Sequence, residues 1–194
     1  MDKRQLAQTT TDPKILDELS RDKDWLVRYR VADNPNTTPE TLDYLSKDED
    51  SDVRCHVATN PNASPETLDY LSRDKNRRVR CRVANNPNTS LKTLNYLSKD
   101  ENYYVRRGVA ENPNTTPETL DYLSRDEDFV VLCRVSNNSK TSQETLKQMA
   151  ITEENYWLKY YIKNNPNCSE KTRRYLSALE LLKTLSKVSR PYNN

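Results

Sequence analysis

Arg28, Arg54, Arg80 and Arg106 stand at intervals of 26 residues, and each follows an acid by six: Asp22, Asp48, Asp74 and Asp100. Glu153 and Lys159 are a late equivalent. A planar guanidinium and a carboxylate at fixed phase suit a partly buried bidentate bridge. A track of phosphate contacts is the other chemistry open to such a row. Leu132 interrupts it, which predicts that Asp126 lacks a partner.

A second set of positions differs from copy to copy. The two residues before the first apolar residue of each copy are Trp25-Leu26, Ser51-Asp52, Arg77-Arg78, Tyr103-Tyr104, Phe129-Val130 and Tyr156-Trp157. Both tryptophans and the only phenylalanine fall here. Scaffold positions repeat, so variable ones are free to encode a partner, and large aromatics and Arg are the types enriched at interface hot spots. Trp25, Arg77, Arg78, Arg82, Tyr103, Tyr104, Arg107, Phe129, Tyr156 and Trp157 are therefore the candidate partner-binding residues. The alternative is that they fold over the core. Arg30, His56, Arg82, Gly108 and Arg134 form a further variable row. With Arg77, Arg78, Arg80 and Arg107 it makes the middle of the chain locally basic. Glu40/Asp43, Glu66/Asp69 and Glu118/Asp121 oppose it, so a basic and an acidic edge are expected despite a net charge of only +2.

Two more rows read as scaffold. Asn34, Asn60, Asn86, Asn112, Asn138 and Asn165 recur at one phase, and all but Asn138 precede a proline. They suit a ladder of side-chain bonds to turn backbone. Tyr44, Tyr70, Tyr96, Tyr122 and Tyr175 each lie beside an apolar position. Their rings are expected to pack between units with the hydroxyl in water. Stacking of nucleic-acid bases would instead need the rings free on a basic face.

Other chemistry has little to stand on. His56 is the only histidine, and no Ser or Cys nucleophile motif accompanies it. There is no phosphate-cradling glycine loop and no metal-ligand spacing, so no cofactor and no metal are expected. Cys55, Cys81 and Cys133 share one phase of three copies, too far apart for a disulfide if neighbouring helices sit roughly 10 Å apart. They read as small, partly buried thiols. The expectation is that the chain is not an enzyme.

The elements that position these rows follow from the repeat. Asn-Pro-Asn recurs at 34–36, 60–62, 86–88 and 112–114, is degenerate at 138–140, and returns at 165–167 after one inserted residue. A fixed period of this size marks a solenoid. In the copy from Asp48 to Arg73, Val53, Val57 and Ala58 form the stripe of a short helix that Asn60-Pro61 ends. Ser64-Pro65-Glu66 opens a second helix, with Ser64 as N-cap and Pro65 at its first position, and Leu68 and Leu71 supply its buried face. Helices of about two turns are marginal alone, so packing between units must hold them. The chain thus reads as an all-α solenoid superhelix of about six 26-residue two-helix repeats with terminal capping helices, its hand left open. Residues 1–20 show only the second half of a unit, 21–178 the array, and 179–194 a cap helix and tail, with Leu176, Leu181, Leu182, Leu185 and Val188 in helical phase.

The consensus Val-Arg-x-x-Val-Ala-x-Asn-Pro-Asn-Thr-x-Pro-Glu-Thr-Leu-x-x-Leu-Ser-x-Asp resembles the bacterial leucine-rich repeat variant family, over about residues 9–178. That resemblance implies stacked pairs of short helices without strands, in the style of HEAT repeats. The HEAT-like likeness also implies that the acid–arginine pairs tie one unit to the next. One member of the family carries an N-terminal iron–sulfur cluster, and here no cysteine precedes Cys55, so that feature does not transfer. Such arrays host unrelated interactions, so the fold does not name a function. With no apolar leader and no long apolar run, the expected setting is the cytoplasm, and no membrane partner is expected. The expected role is a protein-binding scaffold; binding of nucleic acid along the basic edge is the alternative. Oligomeric state is left open.

Overall fold

A computed structural model describes residues 2–152 and 155–188, with side chains through 182. Glu153, the tail from Arg190, and the side chains of Leu185 and Val188 lie outside the described residues. Every described element is an α-helix. First helices of successive repeats are α1 (Lys3–Thr9), α3 (Trp25–Asp33), α5 (Ser51–Thr59), α7 (Arg77–Asn85), α9 (Tyr103–Glu111), α11 (Phe129–Asn137) and α13 (Tyr156–Asn164). Second helices are α2 (Pro13–Leu19), α4 (Pro39–Leu45), α6 (Pro65–Leu71), α8 (Leu91–Leu97), α10 (Pro117–Leu123), α12 (Gln143–Thr152) and α14 (Glu170–Val188). No described helix is long and apolar enough to cross a membrane.

Capping chemistry sets these boundaries. Each first helix from α3 on opens on an Asp or Asn whose side-chain oxygen accepts the N–H two residues ahead, as Asp50 Oδ1 does from Asp52 at 2.7 Å. Second helices open on Asp12 in α2 and on Ser or Thr from α4 on, with Pro at the first position in four of them; Ser64 Oγ accepts the N–H of Thr67 at 3.1 Å. First helices from α3 on end at an Asn held in an extended conformation, as at Asn60 (φ −68°, ψ 131°), which a following proline enforces at all of them but Asn138.

The chain divides into two compact units, Met1–Thr115 and Thr116–Asn194. In the first unit α1, α3, α5, α7 and α9 stack in order, each also touching the second helices beside it. In the second, α11 packs on α13, and α12 on both α13 and α14. Val53, Val57, Ala58, Leu68 and Leu71, with their equivalents in the other copies, are fully buried. Burying one such Leu or Val is worth about 1.5–3 kcal/mol, which is what these two-turn helices lack in isolation.

Both ends differ from the repeat pattern. A helix the pattern does not reveal, α1, precedes α2 and packs on α3 as α3 packs on α5; Asn34 Nδ2 donates to its Ala7 carbonyl at 2.8 Å. Residues 1–20 thus hold both helices of a unit. At the other end α14 runs unbroken past residue 178, so that boundary falls within a helix. Leu176 is buried, whereas Leu181 and Leu182 are exposed.

The chain's one glycine, Gly108, sits where α9 approaches α7. A β-carbon there would fall 2.8 Å from Asn85 Nδ2 and 2.9 Å from Ala84 Cβ. The Asn85 amide can swing aside, but the Ala84 methyl moves only with the helix. Gly108→Ala should therefore be destabilising: overpacking costs about 1–3 kcal/mol, against about 1 kcal/mol gained in helix propensity. Urea denaturation should show a net loss of about 1 kcal/mol; a gain would mean that the two helices separate freely.

Candidate functional site

From α3 on, the first two residues of each first helix are exposed or half-buried, and the Asp or Asn before them accepts the N–H of the second. Residues three and four further on share that face. The variable positions therefore converge on one side of the first helices.

In the first unit they form two clusters. Trp25 meets Tyr29 edge-on, with centroids 6.2 Å apart. Tyr29 lies against His56 of the next repeat at 4.0 Å, and His56 Nδ1 is 2.9 Å from Asp33 Oδ1. The other cluster spans α7 and α9. The Tyr104 ring sits 4.1 Å from that of Tyr103, and the Arg77 and Arg107 guanidiniums lie 5.8 and 5.5 Å from its centroid. Such cation–π contacts hold exposed arginines in place for about 0.5–1 kcal/mol each. Arg78 bonds Asp52 at 3.0 Å, and Arg82 lies exposed one turn beyond it. Arg107 Nε is 3.7 Å from Glu111 Oε1.

The second unit carries the larger aromatic surface. Tyr156 and Trp157 open α13 with 58% and 60% of their surfaces exposed, and Tyr160, one turn on, shows 48%. Their rings meet edge to face: Tyr156–Trp157 at 5.7 Å and Trp157–Tyr160 at 6.5 Å, with Tyr160–Tyr161 at 5.9 Å. Phe129 and Val130 are exposed at the start of α11. Tyr29, Tyr160 and Tyr161 were missing from the candidate set. Their signal was their spacing, three to five residues after Trp25, Tyr156 and Trp157, which is one helical turn.

The acid–arginine row is internal, and its register differs from the spacing in sequence. Arg28 Nε and Nη2 donate to Asp48, 20 residues on, at 2.5 and 2.9 Å. What Arg28 takes from Asp22 is the backbone oxygen, at 2.9 Å from Nη1. Arg54 grips Asp74 and Arg80 grips Asp100 in the same two-pronged way, with Nε–Oδ2 distances of 2.6 Å. Arg106 Nη1 donates to the carbonyl oxygen of Asp100 at 2.9 Å. Asp22 itself accepts from Lys3 at 2.6 Å. Because each arginine reaches forward, Leu132 does not orphan Asp126, which has a partner of its own. Both members of the Arg28–Asp48, Arg54–Asp74 and Arg80–Asp100 pairs are nearly buried.

The tyrosine row is more open than expected: Tyr44, Tyr70, Tyr96, Tyr122 and Tyr175 are all exposed rather than packed between units. The Arg21 and Arg73 guanidiniums lie over the Tyr44 and Tyr96 rings at 4.5 Å. All four cysteines are free, and burial, the leading cause, pushes their thiols up. That is the reverse of what a nucleophilic thiolate needs. Among the described residues no group of His, Cys, Asp and Glu is placed to hold a metal ion.

No protein-family model matches the sequence, and no curated protein matches it significantly. Among solved structures, one described as a leucine-rich repeat variant with a novel repetitive protein structural motif matches with a TM-score of 0.65 at 24% identity. It covers 93% of this chain and 77% of its own. At that identity the likeness is one of fold: the chain is an all-α repeat solenoid with the architecture of the leucine-rich repeat variant.

Proposed function

We propose that this chain is a non-enzymatic scaffold that docks another protein through the outward faces of its first helices. The observation that carries the reading is the aromatic cluster of α13. Tyr156, Trp157 and Tyr160 are held in mutual edge contact while about half or more of each ring faces water. Contiguous exposed aromatics of this kind mark interaction surfaces, and Trp and Tyr are the side chains that dominate hot spots. The Tyr104 cluster adds arginines, which select a partner by charge. A polyanion track receives less support, because Arg78 and Arg80 are paired with carboxylates, and Arg28 and Arg54 are locked in the ladder.

Truncation of one hot-spot aromatic costs about 2 kcal/mol of binding, roughly thirtyfold in affinity. Trp157→Ala combined with Tyr160→Ala should abolish retention of a partner that the wild-type protein captures, with the thermal midpoint unchanged. Equal recovery of the same protein by both forms, measured by quantitative affinity capture, overturns the reading.

A further inference from the structure

On a different surface the first unit repeats a groove three times. Each lies where a second helix hands over to the next first helix, and their volumes are about 510, 340 and 510 Å3. The exposed tyrosines Tyr44, Tyr70 and Tyr96 line one groove each. The residue that follows the second helix's closing serine is always basic: Arg21, Lys47, Arg73 and Lys99. Each groove takes two of these in succession, so neighbouring grooves share one.

We infer that this row of grooves binds an extended acidic peptide segment, one carboxylate to a groove. Charge complementarity carries the inference. The middle groove is lined by Lys47, Arg54, Arg73 and Lys75 against two carboxylates, Asp48 and Asp74. Those two are already gripped by Arg28 and Arg54. Lys47 is bonded to Asp43 at 2.9 Å, so Arg73 and Lys75 carry the positive charge that remains, and both are exposed. Arg21, over Tyr44, already donates to Asp17 at 3.1 Å, and the Arg73 guanidinium lies over the Tyr96 ring at 4.5 Å. A guanidinium so stacked keeps its in-plane N–H groups open to a carboxylate. Spacing points the same way. Stacked helices sit about 10 Å apart, and a peptide in the polyproline-II conformation advances about 3.1 Å per residue with three residues per turn, so every third side chain falls on one side and meets a groove. Single-stranded nucleic acid fits less well, because base stacking needs open ring faces and two of the three rings are already covered by guanidinium.

The test is fluorescence anisotropy at about 0.15 M ionic strength with three labelled probes. The first is a peptide of about ten residues, long enough to span the three grooves, with Asp at every third position and Ser or Ala between. The second has the same composition with its acids contiguous, and the third is an oligothymidylate. The spaced peptide should bind about tenfold more tightly than the contiguous one. That preference should vanish in Lys47→Glu with Arg73→Glu, and weaken in the milder Lys47→Gln with Arg73→Gln. Lys140→Glu, an exposed charge reversal in the second unit that lines none of the grooves, should bind as the wild type does. Equal affinity for the two peptides, tighter binding of the oligothymidylate, binding undiminished by charge reversal, or no binding of the spaced peptide each overturns the inference.

Discussion

Arg54→Ala should lower stability by about 3–5 kcal/mol, the range for breaking a buried ion pair from one side. The guanidinium does two jobs at once. Nε and Nη2 hold both oxygens of Asp74 at 2.6 and 3.1 Å, and Nη1 donates to the carbonyls of Asp48 and Glu49 at 2.7 and 3.1 Å. Truncation leaves Asp74 charged and nearly buried, with the N–H of Asn76 as its remaining donor. Arg54→Lys should recover little, because an ammonium cannot present the same fork. Arg54→Met with Asp74→Asn should recover much of the loss, since it removes the stranded charge and keeps an oxygen for Asn76. The check is urea denaturation of all four proteins with the slope compared, because a defect inside a repeat array can break two-state behaviour.

The pH dependence carries the same signature. Burial pushes the Asp74 carboxyl up, but the Arg54 bond, the Asn76 N–H and the Arg54 charge together hold it below its ordinary value. The folded state therefore binds this proton less readily than the unfolded chain. Its contribution is complete above the unfolded value of about 4 and is lost as pH falls through the lowered one. The wild-type thermal midpoint should hold from neutral pH to about 5 and drop below about 4. In Arg54→Ala, burial, the largest of these effects, is opposed mainly by the Asn76 N–H, and the sign should reverse: protonation relieves the stranded charge. The gap between the two proteins should narrow with acid, and a gap that widens below pH about 4 would show that Asp74 is not the group responsible.

The rows were legible in the sequence because each repeats at one phase. Apolar stripes place the helices, helped by Asn-Pro stops in five copies and Ser/Thr-Pro starts in three. What repetition hides is which copy a side chain reaches. Asp22 and Asp48 occupy the same phase, so spacing alone cannot say which of them Arg28 holds; the two-pronged bond to Asp48 is a property of how α3 meets the turn after α4. α1 was hidden for another reason, since Ala7 is its only fully buried residue and one alanine makes no stripe. The guanidiniums over Tyr44 and Tyr96 likewise come from the preceding copy.

The Asn-Pro-Asn motif has the same between-copy character and yields the second large effect. Asn86→Ala should cost about 2–4 kcal/mol, because the buried Ala58 carbonyl loses its partner at about 1–3 kcal/mol and the part-buried N–H of Asn88 loses a bond worth about 0.5–1.5 kcal/mol. Asn86 Nδ2 donates to the carbonyl of Ala58 at 2.8 Å, one of the orphan oxygens at the end of α5 in the preceding repeat. Its Oδ1 accepts the N–H of Asn88 at 2.8 Å and shapes the turn that leads into α8. The carbonyl of Asn60, its other acceptor at 3.2 Å, keeps a bond from the N–H of Ala63 and loses less. Asn86→Asp separates the two roles. A carboxylate still accepts from Asn88, yet it sets negative charge against the Ala58 oxygen, so it should be at least as damaging as alanine. Parity of Asn86→Asp with wild type would mean that the turn, and not the stitch to the preceding repeat, is what the residue supplies. Position matters too. Asn34 makes the equivalent bonds to Ala7 and Thr10 at 2.8 and 3.0 Å, but it secures only an end helix that can fray alone. Asn34→Ala should therefore lower the urea midpoint less than Asn86→Ala, whose defect lies between stacked neighbours on both sides.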